Sequence, residues 1–133
     1  MAHTIVNPDG LHDPTHFGYS HTAVVPADAE LVLVAGQYGS GPDGGVVSTD
    51  FAQQVKQAFH HIGVALAAHG LDHGHVVQIR TYVVDHDLDK LGTIAEAVQE
   101  CWGTTPPTQT LVGVASLALP DMLFEVEAIA VRP

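Results

Sequence analysis

The sequence predicts an α+β fold, a six-stranded mixed sheet with two helices on one face in the order βββαβαββ, and three observations carry that prediction. Two stretches place apolar residues at helical spacing, each opened by an aspartate and closed by a glycine. Short apolar and β-branched runs fill the chain on either side and end at turn residues. No segment repeats, which excludes solenoid and propeller architectures.

The elements follow in order along the chain. Thr4 to Asn7 and His21 to Val25 read as short strands, and Leu31-Val32-Leu33-Val34-Ala35 reads as a third that stops at Gly36. Gly39, Gly41, Pro42, Asp43, Gly44 and Gly45 form a turn cluster. Asp50 with Gln53 then has the form of a capping box. The helix it opens carries the apolar stripe Val55, Phe59, Ile62 and Leu66 and is expected to end at Gly70. Val76 to Val84 is the fourth strand. From Asp87 a second helical pattern, Leu88, Leu91, Ile94, Ala95, Val98 and Trp102, stops at Gly103 ahead of a proline pair. Thr108 to Val114 and Leu123 to Val131 complete the set as strands.

Size and charge narrow the classes of function. At 133 residues with 46% apolar content, the chain is expected to form one domain spanning residues 1–133. Its longest apolar runs, such as Leu31 to Gly36, fall far short of the ~20 residues of a membrane-spanning helix. Met1-Ala2-His3-Thr4 has neither a basic region nor an apolar segment, so a soluble, cytoplasmic protein is expected. Four basic residues against fifteen acidic ones give a formal charge of −11, which repels a phosphate backbone and argues against a nucleic-acid partner. Only 14% of residues are charged, against about 25% in typical domains. That shortage of charged surface fits subunit association. So does the run Leu31 to Ala35, which is apolar on both faces while two helices can cover only one. A closed cyclic assembly would cover the other.

Few residues are placed for chemistry. Glu125 and Glu127 lie two apart on the last strand and so share a face with Leu123 and Ile129. A carboxylate on an apolar face is costly unless it is paired or lines a cleft, and burial raises its pKa toward the range of acid–base work. Glu125 is the candidate for that work; Glu127 is expected on a solvated rim or paired with Arg80. Cys101, the only cysteine, excludes an internal disulfide and falls within a helical pattern, so covalent catalysis has no recognisable support. His69, His73 and His75 cross a glycine-rich helix end without carboxylate or thiol partners, and no metal is expected there. His12, His16 and His21 surround Phe17 to Tyr19, where one of them could meet a substrate. Gly39-Ser40-Gly41-Pro42-Asp43-Gly44 matches a dinucleotide-binding pattern, but Val46, Val47 and Ser48 separate it from the helix and Pro42 removes a donor. A plain loop is expected, and no cofactor.

Phe17-Gly18-Tyr19, Ala35-Gly36-Gln37, Pro107-Thr108-Gln109-Thr110 and Phe124-Glu125-Val126-Glu127-Ala128-Ile129-Ala130 occur in that order across nearly the whole chain. In these blocks the chain resembles the RidA/YjgF family of reactive-intermediate deaminases. The resemblance implies a chorismate-mutase-like fold, a homotrimer, and three equivalent clefts between subunits that receive small substrates. It also implies an arginine, two residues past the second proline, that grips a substrate carboxylate. This chain has Gln109 there, and an uncharged amide cannot replace a guanidinium. Ala35, Leu111 and Ala95 likewise stand where the deaminating branch has serine, cysteine and asparagine. Tyr19 and Glu125 match cleft positions and are the expected catalytic pair, with Gln109, Tyr38, Phe17, Ala35 and Trp102 expected around the substrate. The activity expected is hydrolysis of a pathway-specific imine or enamine by glutamate and tyrosine, without the usual arginine-dependent action on 2-iminopropanoate. Tautomerisation, dehydration or cyclisation on the same scaffold is one alternative, and a noncatalytic trimer that binds a metabolite or a protein is another. The ribonuclease activity also described for the family fits poorly with the charge of −11.

Overall fold

Six strands and two helices occur in the expected order: β1 (Thr4–Val6), β2 (Thr22–Val24), β3 (Glu30–Gln37), α1 (Phe51–Ala67), β4 (Val76–Val84), α2 (Leu88–Trp102), β5 (Thr108–Val114) and β6 (Phe124–Arg132). The computed structural model describes residues 2–133; Met1 of the amino-terminal stretch considered above lies outside them. Both helices start where an aspartate accepts a free backbone N–H. Asp50 accepts from Gln53 N at 3.0 Å and Asp87 from Lys90 N at 2.8 Å. The expected box at Asp50 is one-sided, since Gln53 returns no bond. α1 ends at Ala67, one turn before Gly70, whose φ of +70° reverses the chain beyond the helix. Gly103, with φ +60°, closes α2 as expected.

Hydrogen bonding divides the six strands between two sheets. β3, β6, β4 and β5 form a mixed sheet in that order, with β6 antiparallel to both neighbours and β4 parallel to β5 through the α2 crossover. β1 and β2 pair as a separate antiparallel ribbon, joined to the sheet by one bridge between Ser20 and Thr108. Strands of three residues offer few ladder bonds, so the ribbon stays at the edge.

Both helices lie on one face. Val55, Phe59, Ile62 and Leu66 of α1 are buried, as expected, against Val32, Val34, Val126, Ala128 and Ala130, while Ile94 and Val98 of α2 complete the layer. Leu31 and Leu33, which alternate with Val32 and Val34, point the other way and are 57% and 73% exposed. The chain itself therefore leaves this apolar face open.

Gln54 is the polar strut of the core. It is fully buried, and its Nε2 donates to Ser48 O and Asp121 O at 2.8 and 2.9 Å while its Oε1 accepts from Leu123 N at 2.8 Å. The side chain thus ties α1 to the start of β6, one residue from Phe124 and two from Glu125. Gln54→Ala strands three backbone groups and should lower stability by about 2–4 kcal/mol, since each buried unpaired group costs about 1–3 kcal/mol. Urea unfolding of the purified variant checks this.

Candidate functional site

On β6 the residues alternate between the helix-covered face and the open one. Phe124, Val126 and Ala128 are buried beneath the helices; Glu125, Glu127 and Ile129 are half-buried on the open face, as the spacing predicts. The two carboxylates differ in their partners. Glu127 Oε1 accepts from the Tyr82 hydroxyl, which reaches diagonally across from β4. Arg80, opposite Glu127 in the register, is exposed and forms no ion pair among the described residues, so the partner of Glu127 is Tyr82 rather than Arg80. Tyr82 could not be singled out from sequence because its bond is diagonal. That bond, above all, raises the Tyr82 pKa, with burial adding to it.

Glu125 accepts no hydrogen bond among the described residues. Its carboxylate lies over Gly36 of β3, where a Cβ would stand 2.5 Å from Oε2. A glycine is thus required at Gly36 for space, at the bulge that shifts the register between Val34 and Gln37. Burial raises the Glu125 pKa above its ordinary 4.5, and the charge of Glu127 pushes it further the same way.

The second group of site residues gathers at the outer edge of β5. His12, Phe17, Tyr19, Leu91, Gln109, Thr110 and Leu111 line a cavity of about 470 Å³ between this edge and the start of α2. Tyr19 and Gln109 also border a larger recess of about 760 Å³, which opens onto Leu31, Gln78 and Ile129. A 3₁₀ turn over Thr15–Phe17 and Gly18, at φ +89°, bring Phe17 and Tyr19 here. The Tyr19 hydroxyl is 2.6 Å from His12 Nε2. His21 Nε2 donates to His12 O at 2.9 Å and the His21 N–H donates to Asn7 Oδ1 at 2.7 Å, so the histidines brace the loop that presents Tyr19.

Gln109 is a strut rather than a free hand. Its Nε2 donates to Gly18 O at 2.7 Å and its Oε1 accepts from the Thr81 hydroxyl at 2.8 Å. A backbone carbonyl only accepts, which fixes the amide orientation. Thr81 is fully buried on the helix side of β4, so Gln109 faces that side and Glu125 the other.

Within one chain Glu125 and Tyr19 are therefore not brought together. β4 intervenes between β6 and β5, and Glu125 lines neither cavity that Tyr19 borders. Three other expected contacts lie elsewhere. The Tyr38 hydroxyl donates to Gly44 O at 2.7 Å and fastens the glycine-rich loop. Ala35 is exposed on β3, its carbonyl accepting from Gln37 Nε2. Trp102 donates from Nε1 to His73 O at 2.6 Å and packs edge-on against Phe59 and His73. It borders a separate recess of about 240 Å³ with His3 and Cys101, so its large ring serves the core rather than the Tyr19 cavity.

Among the described residues no group of three or more His, Cys, Asp or Glu side chains is arranged to hold a metal ion. His73 bonds Phe59 O, and His75 folds back on Asp72 to cap a short turn. Burial pushes the Cys101 thiol up to about 11, so it stays protonated at neutral pH and is a poor nucleophile. Among the described residues no helix is long and apolar enough to cross a membrane.

Comparison with known proteins places this geometry. Residues 11–132 match the family model described as Endoribonuclease L-PSP. The chain is 32% identical over 134 aligned residues to the RutC family protein YjgH of Escherichia coli, covering 100% of this chain and 98% of that one. It belongs to the RidA/YjgF family. Within that family it is 30% identical over 115 residues to a human 2-iminobutanoate/2-iminopropanoate deaminase, covering 86% and 80% of the two chains. The crystal structure of the Rid family protein YyfB from Yersinia pestis superposes with a TM-score of 0.91 at 30% identity, over 98% of both chains. Escherichia coli TdcF with bound serine gives 0.67 at 29% identity, over 82% and 85%. The α+β, chorismate-mutase-like fold expected from the sequence blocks is thereby shown.

Glu125 also sets a pH dependence. Because its folded pKa is raised, the folded protein holds a proton that the unfolded chain has already lost, so stability falls as pH rises above about 4.5 through the raised value. Glu125→Gln removes that loss. Its Tm should exceed that of the unsubstituted protein at pH 7, and the difference should vanish at pH 4, as thermal unfolding at the two pH values will show.

Proposed function

We propose that this RidA/YjgF chain is a cytoplasmic small-molecule enzyme that acts on imine- or enamine-type intermediates at clefts between the subunits of a homotrimer. Glu125 of one subunit and Tyr19 of the next would share each cleft. The observation that carries the reading is the division of the site. Glu125 is half-buried with a raised pKa and no hydrogen-bond donor, on an apolar face that the chain leaves open. Tyr19 stands in a cavity at the β5 edge of the same sheet, with β4 between it and Glu125. Only a second copy, with its β5 edge near the open face of the first, would bring the two together. In a cyclic trimer the arrangement repeats three times and covers Leu31 and Leu33.

In that setting Glu125, with its raised pKa, can take a proton from a water that attacks the imine carbon and return it to the departing amine. Tyr19, paired with His12, can hold the imine nitrogen or the attacking water. The deaminase named among the relatives supports imine chemistry. The engagement of Gln109 at both ends of its amide supports a chemistry that does not grip a carboxylate at that position. A purely binding role would call for a Glu125 freely solvated at its ordinary pKa, and its position over Gly36 argues against that. The charge of −11 argues against RNA as the substrate.

Ammonia release from freshly generated imines, with 2-iminopropanoate in the panel, tests the reading. Glu125→Gln and Tyr19→Phe should each lower kcat by about 10²-fold or more, the usual scale of a lost acid–base group. Co-refolding the two inactive variants should restore activity, because in a mixed trimer about one cleft in three regains both side chains. Full activity in either variant, or no recovery on mixing, would count against a shared cleft. Sedimentation provides a parallel check: Leu33→Asp should convert a trimer into monomers.

A further inference from the structure

The cavity at the β5 edge has walls of one character and a floor of another. Phe17, Leu91 and Leu111 supply carbon surface, and Phe17 is 42% exposed, an aromatic ring held toward open space. The polar lining consists of Tyr19, His12, Thr110 and Gln109. Gln109 commits one N–H to Gly18 O and one Oε1 lone pair to Thr81, so its amide is held in place and offers a ligand at most one further N–H, without charge. Tyr19 and His12 are bonded to each other. When His12 Nε2 carries the proton, the pair leaves the Tyr19 O–H free to donate to one acceptor atom.

What the cavity lacks is a permanent positive charge. The chain has four basic side chains, and each is engaged or directed elsewhere. Lys90 donates to Val84 O and Asp85 O. Arg132 pairs with Glu30, and Lys56 is exposed on α1. Arg80 stands beside Thr110 in the register but lines a shallow recess with Gln78 and Glu127 on the open face. A carboxylate entering the cavity would leave its hydration for carbon walls without an ion-pair partner, and would do so against the field of a protein with net charge −11. An apolar ring or branched chain would instead gain contact with Phe17, Leu91 and Leu111.

We propose that this cavity selects uncharged substrates, with a trigonal carbonyl or imine carbon held by Tyr19 and an apolar, ring-sized body held by Phe17, Leu91 and Leu111, and that it discriminates against substrates carrying a carboxylate beside that carbon. The inference rests on the functional proposal only in taking this cavity as the substrate half of the cleft. It names the substrate class that replaces 2-imino acids.

A matched pair of stable ketones serves as the probe. Acetophenone and phenylglyoxylate share a phenyl ring and a trigonal carbonyl, and differ in a methyl against a carboxylate. Titration of each into the full-length protein, followed by amide and methyl NMR shifts, gives the two dissociation constants. Acetophenone should bind at least ten-fold more tightly, and Phe17→Ala and Tyr19→Phe should each weaken it several-fold. Both positions are partly exposed, and the unchanged remainder of each spectrum shows that the variant is folded. Equal or tighter binding of phenylglyoxylate overturns the proposal, and its loss in Arg80→Gln would then identify the cation responsible. Acetophenone binding untouched by both substitutions, or binding of neither ketone, also overturns it. The outcomes separate from those of the functional reading. Glu125-dependent hydrolysis with a preference for phenylglyoxylate keeps the enzyme and removes the selectivity. Selective acetophenone binding without turnover of any imine does the reverse.

Discussion

Two helices cannot cover both faces of a four-stranded sheet, and the rest of this structure follows from that shortage. α1 and α2 bury one face with Val55, Phe59, Ile62, Leu66, Ile94 and Val98. The other face keeps Leu31 and Leu33 in the open, together with Glu125 and Glu127. An apolar surface that also carries carboxylates is neither a good solvent face nor a finished core. It becomes a sensible arrangement when a further surface comes to lie against it and the carboxylates face a cleft rather than a packed contact.

Amides carry much of the fixed polar framework on the helix-covered side behind that face. Gln54 joins α1 to the entrance of β6 and so sets where Glu125 begins. Gln109 joins the buried Thr81 to the loop that presents Tyr19. An amide donates and accepts without charge, so it can brace buried backbone at a smaller desolvation cost than an ion pair would bear. The consequence at position 109 is specific: an uncharged side chain held at both ends of its amide cannot turn to grip a carboxylate as a guanidinium would. The cavity beside it is left with a tyrosine–histidine pair and three apolar walls. Its preferences then follow from packing and from one hydrogen bond rather than from an ion pair.

Much of this was legible in the sequence. The helix stripes were visible because a 3.6-residue spacing is local, and the caps at Asp50 and Asp87 because capping acts over three residues. The shared face of Glu125, Glu127 and Ile129 followed from strand alternation alone. Contacts that cross between elements were not legible. The diagonal bond from Tyr82 to Glu127 displaced the expected partner Arg80, and the His12–Tyr19 pair joins two residues of a loop with no periodicity. Trp102 shows the same limit. Its place in the α2 stripe was right, but only the arrival of His73 beside its indole decided that the ring serves the core.

The sequence by itself determined the order of elements, the faces of each helix and strand, the absence of an arginine at position 109, and the family. All of these are read from spacing, alternation and residue type, which operate within a few positions of the chain. The tertiary structure decided that Glu125 rests over Gly36 with its pKa raised, that Gln109 is tied at both ends, and that Glu125, on the inner strand β6, is kept apart from Tyr19 at the β5 edge. Those facts depend on strand order β3-β6-β4-β5, in which β6, last in the chain, lies between β3 and β4. Burial and hydrogen bonding depend on which segments become neighbours across that sheet, and no local pattern in the chain specifies it.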